Sequence, residues 1–333
     1  MKKTVDVVIM GSGALGSLYG GLIQLTNRAS VTLVARPRHV NAIKERGLQI
    51  RGVLGEYSID IEAVPDPKEI QHADLVFITT KSYDTRKAAR ELKHLVSEDT
   101  YFVCLQNGIG TEELVSRELN TKNVLRATSC MGAMTTGNGE VKVTGTGITE
   151  VGTHYEENSE VVDYVVNLLQ DASFEASGSE DIEAVVWTKT IVNCGINPVG
   201  ALTGLTNGEV YKDRDLRALV VNLVEEAAEV AEALDINLNT DDPVRYTLGT
   251  AKATSENINS MLQDIVKGKR TEIDFITGEI VRKAEKLGLE APFSKSMLAL
   301  VRALERKRQA NGDGKESLPM LHSEQLVDLA SRN

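Results

Sequence analysis

Two groups of residues in this 333-residue sequence have the types and spacing to do chemistry. The first is Gly11-Ser12-Gly13-Ala14-Leu15-Gly16, which follows the apolar run Val5–Met10 and leads into a helical stretch from Ser17. A strand, a GxGxxG turn and a helix together form a cradle for a pyrophosphate. Gly11 permits the tight turn, Gly13 removes the Cβ that would keep the phosphates away, and Gly16 lets helix and strand pack closely. Free amides and a partial positive charge at the helix start favour the anion. About 20 residues beyond this turn, an NAD-dependent enzyme usually ends its second strand in an acidic residue that accepts from the ribose 2′-hydroxyl. Here the run Val31–Ala35 leads into Arg36, which cannot accept but can pair with a 2′-phosphate, with Arg38 as a second contact. NADP, bound as NADPH or NADP+, is therefore the expected cofactor; the bland alternative is a surface arginine beside a glycine-rich turn.

The second group lies in Trp187-Thr188-Lys189-Thr190-Ile191-Val192-Asn193-Cys194-Gly195-Ile196-Asn197-Pro198. Lys189, Asn193 and Asn197 are successive i, i+4 neighbours on one helix face. One lysine and two asparagines on an otherwise apolar helix are costly to bury unless a polar ligand satisfies them. Cys194 sits in the same block without a motif partner and reads as packing.

The elements that must carry these groups are legible from texture. Up to about residue 175, short β-branched runs alternate with helical stretches, the signature of a parallel sheet flanked by helices. Ala73–Thr80 and Thr100–Leu105 are continuous apolar runs, as in strands covered on both faces. Val124–Ala127 reads as a weaker strand, and residues 137–152 as hairpin strands at one edge of the sheet. Beyond about residue 178 the pattern becomes helical, with helices expected near 182–195, 244–254, 271–287 and 294–308. A further helix is marked by the apolar stripe Leu216, Leu219, Val220, Leu223, Val224, Ala227, Val230, Ala231 and Leu234, opposite Glu225, Glu226, Glu229 and Glu232. The expected fold is α/β: an N-terminal Rossmann-type, doubly wound parallel sheet over 1–178, binding NADP, and an all-helical C-terminal domain over 179–333, binding substrate and carrying catalysis.

Net charge of −11 argues against nucleic acid or an anionic membrane as partner. Three cysteines without CxxC spacing indicate neither a disulfide framework nor a zinc site, and no metal is expected. Together with the short, interrupted apolar start, this predicts a cytoplasmic protein. Long amphipathic helices in the second domain are of the kind that provide dimer surfaces, which allows a homodimer.

Five separated blocks resemble the ketopantoate reductase (2-dehydropantoate 2-reductase) family over nearly the whole chain. They are the GSGALG turn with Arg36, Thr79-Thr80-Lys81, Leu105-Gln106-Asn107-Gly108-Ile109-Gly110, the Trp187–Pro198 helix continuing to Asn207-Gly208-Glu209, and Asn259–Asp264 followed by Glu272-Ile273-Asp274. The resemblance implies NADPH-dependent reduction of a small 2-oxo acid, 2-dehydropantoate, to (R)-pantoate in pantothenate and coenzyme A synthesis. It implies a C-terminal domain like that of 6-phosphogluconate dehydrogenase. Lys189 would stabilise the growing oxyanion and deliver the proton. Asn193, Asn197, Asn207 and Ser260 would orient the substrate with Lys189. Lys81, Asn107, Ala133 and Glu272 would contact the cofactor, Glu272 also serving catalysis by orienting Lys189 or a hydroxyl; a helix-surface glutamate is its alternative reading. The sequence departs from the family at Thr277, where asparagine is expected, and in a tail past Arg308 that does not align. A reductase of another small 2-oxo acid, and a non-catalytic NADP-binding regulator, remain as alternative readings.

Overall fold

The apolar run at the start of the chain becomes a strand with both faces covered. In β1 (Val5–Met10), Val7 and Ile9 enter one core while Val8 and Met10 enter another on the opposite side of the sheet. The computed structural model describes residues 4–310. It forms two units, one running to Ile182 except for the turn Asn107–Ile109, the other made of that turn and the chain from Glu183 onward.

In the first unit β1 is followed by α1 (Ala14–Leu25), β2 (Ala29–Val34), α2 (Pro37–Arg46), β3 (Leu48–Gly52), β4 (Tyr57–Ile59) and β5 (Glu62–Val64). Then come β6 (Leu75–Ile78), α3 (Thr85–Glu91), β7 (Tyr101–Cys104), α4 (Thr111–Leu119), β8 (Val124–Ser129), β9 (Gly132–Gly137), β10 (Glu140–Gly145) and β11 (Thr149–Gly152). The unit closes with α5 (Ser159–Asp171) and β12 (Ala176–Gly178). Eight strands form one sheet in the order β12-β11-β8-β7-β6-β1-β2-β5, parallel throughout except for β8 with β11. The chain leaves β1 towards β2 on one side and returns to β6 on the other. That reversal between β1 and β6 is the switch point outside whose carboxyl ends ligands bind in open α/β sheets.

The glycine- and threonine-rich stretch differs from its expected place at the edge of this sheet. β9 and β10 pair as a hairpin, but in a separate four-stranded sheet, β4-β3-β10-β9; only β11 joins the main sheet. The strands at 48–64 were too short to stand out by alternation. They gain stability by pairing with distant segments, as β3 does with β10.

The second unit contains α6 (Ile182–Thr203), α7 (Asn207–Lys212), α8 (Arg214–Glu232), α9 (Pro243–Ala253), α10 (Ser260–Val266), α11 (Thr277–Leu287) and α12 (Pro292–Ala310). α6 runs on past its expected end near 195, with Pro198 inside it. The stripe on α8 buries Val220, Leu223, Val224, Ala227, Val230 and Ala231 as expected. Glu226, read as a solvent-facing residue, is instead buried: its carboxylate accepts from the Phe293 N–H (2.8 Å) and the Ser294 N–H (2.7 Å) at the start of α12. The helix expected at 271–287 begins only at Thr277, because residues 271–276 form a turn with its own anchors.

Candidate functional site

In the first unit the glycine turn sits at the carboxyl end of β1, at the switch point. The Gly11 and Ser12 N–H groups donate to the Val34 carbonyl at the end of β2 (3.2 and 2.9 Å), and Thr79 Oγ1, after β6, donates to the Gly11 carbonyl (3.0 Å). A Cβ on Gly11 would lie 2.5 Å from Thr80 Cγ2, and one on Gly16 would lie 2.4 Å from Thr79 Oγ1. Those two glycines are required by packing. A Cβ on Gly13 would meet only the Gly11 carbonyl oxygen, at 3.9 Å. Packing within the chain does not demand glycine here, and the missing Cβ leaves the start of α1 open beside Ala14 and Leu15. The first N–H groups of a helix lack intrahelical partners, so this surface fits a pyrophosphate.

Two residues past β2, Arg36 is the N-cap of α2 and Arg38 lies in its first turn, both exposed. Among the described residues neither forms an ion pair, and the first turn of α2 carries no acid. Cations at a helix N-terminus oppose the helix dipole by about 0.3–1 kcal/mol each. An anion there reverses the sign of that cost. Lys81 follows β6 at the same edge as the N-cap of a short 3-10 turn, half-buried. Ala133 is half-buried on β9, in the smaller sheet, and packs against the core that holds α1.

The loop leaving β7 is held by a buried cation. Arg126 on β8 is 2% exposed; it donates to the carbonyls of Cys104 (3.1 Å) and Gln106 (2.7 Å) and to Thr111 Oγ1 (2.9 Å). Its charge is matched by Glu112, 3.5 Å away. Burial alone would raise the Glu112 carboxyl, but Arg126 and His154 outweigh it and lower the pKa to about 2. Gln106 Nε2 donates to the Thr80 carbonyl and to the hydroxyls of Thr80 and Thr85, which ties the turn after β7 to the one after β6.

In the second unit, α6 carries Lys189, Asn193 and Asn197 along one face; the first two are half-buried and Asn197 is buried among apolar neighbours. Asn207 opens α7 behind a capping box formed by Thr206 and Glu209. Its Nδ2 donates to Thr254 Oγ1 (2.9 Å), while its Oδ1 is buried and accepts no hydrogen bond from the described residues. An unpaired buried acceptor costs about 1–3 kcal/mol, and a ligand hydroxyl would satisfy it. Ser260 is exposed as the first residue of α10, behind the N-cap Asn259.

Glu272 is buried and lies in the 271–276 turn, so its reading as a helix-surface glutamate is set aside. The turn is pinned at three points. Glu305 accepts from the Thr271 N–H (2.6 Å), Arg282 donates to the Asp274 carbonyl (2.9 Å), and Arg270 and Arg302 pair with the Asp274 carboxylate. Burial opposes ionisation of Asp274, but hydrogen bonds from the two arginines outweigh it and hold the carboxyl below its usual range. Asn107 Nδ2 donates to Glu272 Oε2 at 3.2 Å. Gly108 makes that approach feasible: its φ is +89°, a Cβ there would lie 2.3 Å from the Phe275 carbonyl oxygen, and the next N–H, Ile109, donates to that oxygen at 3.1 Å. Here Gly108 serves contact with Phe275, a role not read from the sequence. Cys194 is fully buried and burial pushes its thiol up to about 12, which fits packing and not nucleophilic use.

The family described as Ketopantoate reductase PanE/ApbA matches residues 7–156, and its C-terminal counterpart, Ketopantoate reductase PanE/ApbA C terminal, matches residues 181–305. The chain belongs to this family. It is 41% identical over 304 residues to a 2-dehydropantoate 2-reductase of Pyrococcus horikoshii, spanning 90% of this chain and 98% of the relative. A 2-dehydropantoate 2-reductase of Archaeoglobus fulgidus is 37% identical over 300 residues, again 90% of this chain and 97% of the relative. Among solved structures, the PanE/ApbA family ketopantoate reductase of Ralstonia eutropha JMP134 superposes with a TM-score of 0.84 at 31% identity, covering 91% of this chain and 99% of that one. A D-mandelate dehydrogenase bound to NADH and anilino(oxo)acetate gives 0.85 at 26% identity, covering 91% and 99%. The parallel-sheet unit and the helical unit are thus those of this family.

Proposed function

We propose that this chain is an NADPH-dependent 2-dehydropantoate 2-reductase, converting the C2 ketone of 2-dehydropantoate to the alcohol of (R)-pantoate on the route to pantothenate and coenzyme A. The observation that carries the reading is the Lys189-Asn193-Asn197 face of α6, where a cation and two amides share one face of an otherwise apolar helix, Lys189 and Asn193 half-buried and Asn197 buried, a set of groups suited to a small polar substrate. Family membership supplies the substrate, and the unpaired buried Asn207 Oδ1 suits a substrate hydroxyl.

The residues that would hold NADPH are Gly11, Ser12, Gly13, Ala14, Leu15 and Gly16 at the pyrophosphate and Arg36 at the 2′-phosphate, with Lys81, Asn107, Ala133 and Glu272 along its length. NADPH, when bound, supplies the hydride that reduces the C2 carbonyl carbon. As charge collects on the carbonyl oxygen, the Lys189 ammonium stabilises it and donates a proton, leaving the hydroxyl of the product. Asn193, Asn197, Asn207 and Ser260 fix the carboxylate and hydroxyl of the substrate, so that one face of the ketone is presented. Glu272, held by Asn107, orients the lysine or a substrate hydroxyl. The first unit thereby has the cofactor role and the helical unit the substrate and catalytic role.

We place the enzyme in the cytoplasm, in keeping with three free cysteines, acting on a small molecule and not on nucleic acid or membrane. Among the described residues no helix is long and apolar enough to cross a membrane. Exposed Phe293 and Leu300, seven residues apart on α12, favour a homodimer, which sedimentation would test. The decisive experiment is oxidation of NADPH and of NADH with 2-dehydropantoate, pyruvate, 2-oxoisovalerate and oxaloacetate. The proposal expects 2-dehydropantoate with NADPH to give the highest kcat/KM; preference for another 2-oxo acid would move the assignment to a different reductase.

A further inference from the structure

His39 is a histidine the cofactor chemistry does not use, yet it is buried at the joint between the two helices that would hold the cofactor's phosphates. Its Nδ1 accepts from the Gly139 N–H at 3.0 Å, at the tip of the β9–β10 hairpin. Nδ1 is therefore the unprotonated nitrogen, and Nε2 carries the proton and donates to Ser17 Oγ at 3.1 Å. Ser17 Oγ donates in turn to the Ser12 carbonyl at 3.3 Å, inside the glycine turn. Burial lowers the His39 pKa, in keeping with the neutral ring these bonds require. At the other end of the residue, the His39 and Val40 N–H groups donate to the Arg36 carbonyl (2.9 and 3.1 Å), so His39 and Arg36 belong to one rigid turn.

We propose that His39 is a positioning residue for cofactor choice: through Ser17 it fixes the Arg36–Arg38 turn relative to the start of α1, setting the spacing between the site for the 2′-phosphate and the site for the pyrophosphate. A dinucleotide touches both places at once, and only NADPH has a phosphate at the first. Loosening this joint therefore penalises NADPH and leaves NADH, which has no group to lose there. Gly139 supports the ring from the opposite side; with φ +71° and a Cβ that would lie 3.1 Å from that of Ala42, it brings the hairpin directly onto α2. The Arg46 guanidinium, donating to the Asn138 carbonyl at 2.7 Å, holds the same hairpin tip without His39. The bond to Ser17 is thus the one that transmits position to the glycine turn.

The inference rests on the reading of Arg36 as the 2′-phosphate ligand, and the test separates the two. Kd by fluorescence titration of NADPH and of NADH, in the absence of substrate, is measured beside KM and kcat for the wild type, Arg36→Ala, His39→Ala, His39→Asn and His39→Gln. Glutamine retains a donor where Nε2 lies, and asparagine retains an acceptor where Nδ1 lies. The expected result for His39→Ala and His39→Asn is a rise in both Kd and KM for NADPH on the order of tenfold, the scale of one lost hydrogen bond. Kd and KM for NADH and both kcat values should change less than about twofold, and His39→Gln should lie near the wild type. Equal rises for both cofactors, or equal behaviour of His39→Asn and His39→Gln, overturn the inference while leaving Arg36 in place. If Arg36→Ala itself fails to separate NADPH from NADH, the 2′-phosphate reading falls as well. Should the alanine variant not fold, the asparagine and glutamine pair carries the comparison alone.

Discussion

Asn107→Asp changes an amide NH2 for an oxygen of nearly the same size, and the structure makes that change severe. Asn107 Nδ2 lies 3.2 Å from Glu272 Oε2, and Glu272 is only 6% exposed. In the variant two carboxylate oxygens face each other across that gap. With an effective dielectric of about 20, two unit charges at this distance repel by about 5 kcal/mol. The pair escapes part of that cost by retaining one proton, so one carboxyl titrates well above the usual carboxylate range. Asn107→Ala loses its hydrogen bond to Glu272 without placing a second carboxylate there; a hydrogen bond to a carboxylate is worth about 1.5–3 kcal/mol, or about 10- to 100-fold in kcat/KM if the contact persists in the transition state. Steady-state oxidation of NADPH should therefore rank wild type above Asn107→Ala, and Asn107→Ala above Asn107→Asp, at about pH 8. On lowering the pH to about 6 the aspartate variant should recover towards the alanine variant, whose profile should parallel the wild type. Equal activity of the two variants at both pH values would show that Asn107 does not face Glu272 in the working enzyme.

Three further outcomes test other parts of the structure. Lys189→Ala should lower kcat by about 10²–10⁴, the loss expected of a general acid, while NADPH fluorescence titration gives an unchanged affinity; normal turnover would remove lysine from the mechanism. Glu112 has a folded pKa of about 2, below its unfolded value, so it contributes stability above about pH 4.5 that is lost as pH falls towards 2. That contribution is on the order of 3 kcal/mol, and acid denaturation followed by circular dichroism should show a flatter acid limb for Glu112→Gln. Glu226→Ala should cost about 2 kcal/mol through loss of the two N–H partners at the start of α12. Thermal melts read by Trp187, the single tryptophan, should show a lower Tm, partly restored in Glu226→Gln.

The parts of the fold legible in the sequence are those whose signal is local. Continuous apolar runs marked β6 and β7 because both faces of the central sheet are covered, and the α8 stripe marked its own buried face. The four-stranded sheet was not legible as such. Its β3–β10 pairing joins Gln49 to Glu140, and nothing within either five- or six-residue strand reports that distant partner. The candidate site divides the same way. The glycine turn, Arg36 and the α6 face follow from spacing within one segment, whereas the Arg126 clamp on the β7 loop requires a contact between β8 and residues before α4. A lone arginine in the run Val124–Ser129 was the available signal, since a charge inside a buried strand has to be paired.

Glu226 and Glu272 show why periodicity misreads some charged residues. Helical period states which residues share a face, and it assigns a glutamate to water because burying an unpaired carboxylate is costly. That cost vanishes as an argument wherever another segment arrives with unsatisfied N–H groups or a side-chain amide. The first turn of α12 brings two such N–H groups to Glu226, and the turn after β7 brings Asn107 to Glu272. Both partners are distant in sequence: the first is 67 residues from its glutamate and the second 165. The two sites differ in what the carboxylate does. Glu226 accepts from backbone groups that any sequence would present at that helix start, so its role is to fix α12. Asn107 is a side chain, and Gly108 next to it packs against Phe275, an arrangement that puts one particular amide beside one carboxylate. That specificity is the physical ground on which Glu272, and not Glu226, is proposed for the chemistry.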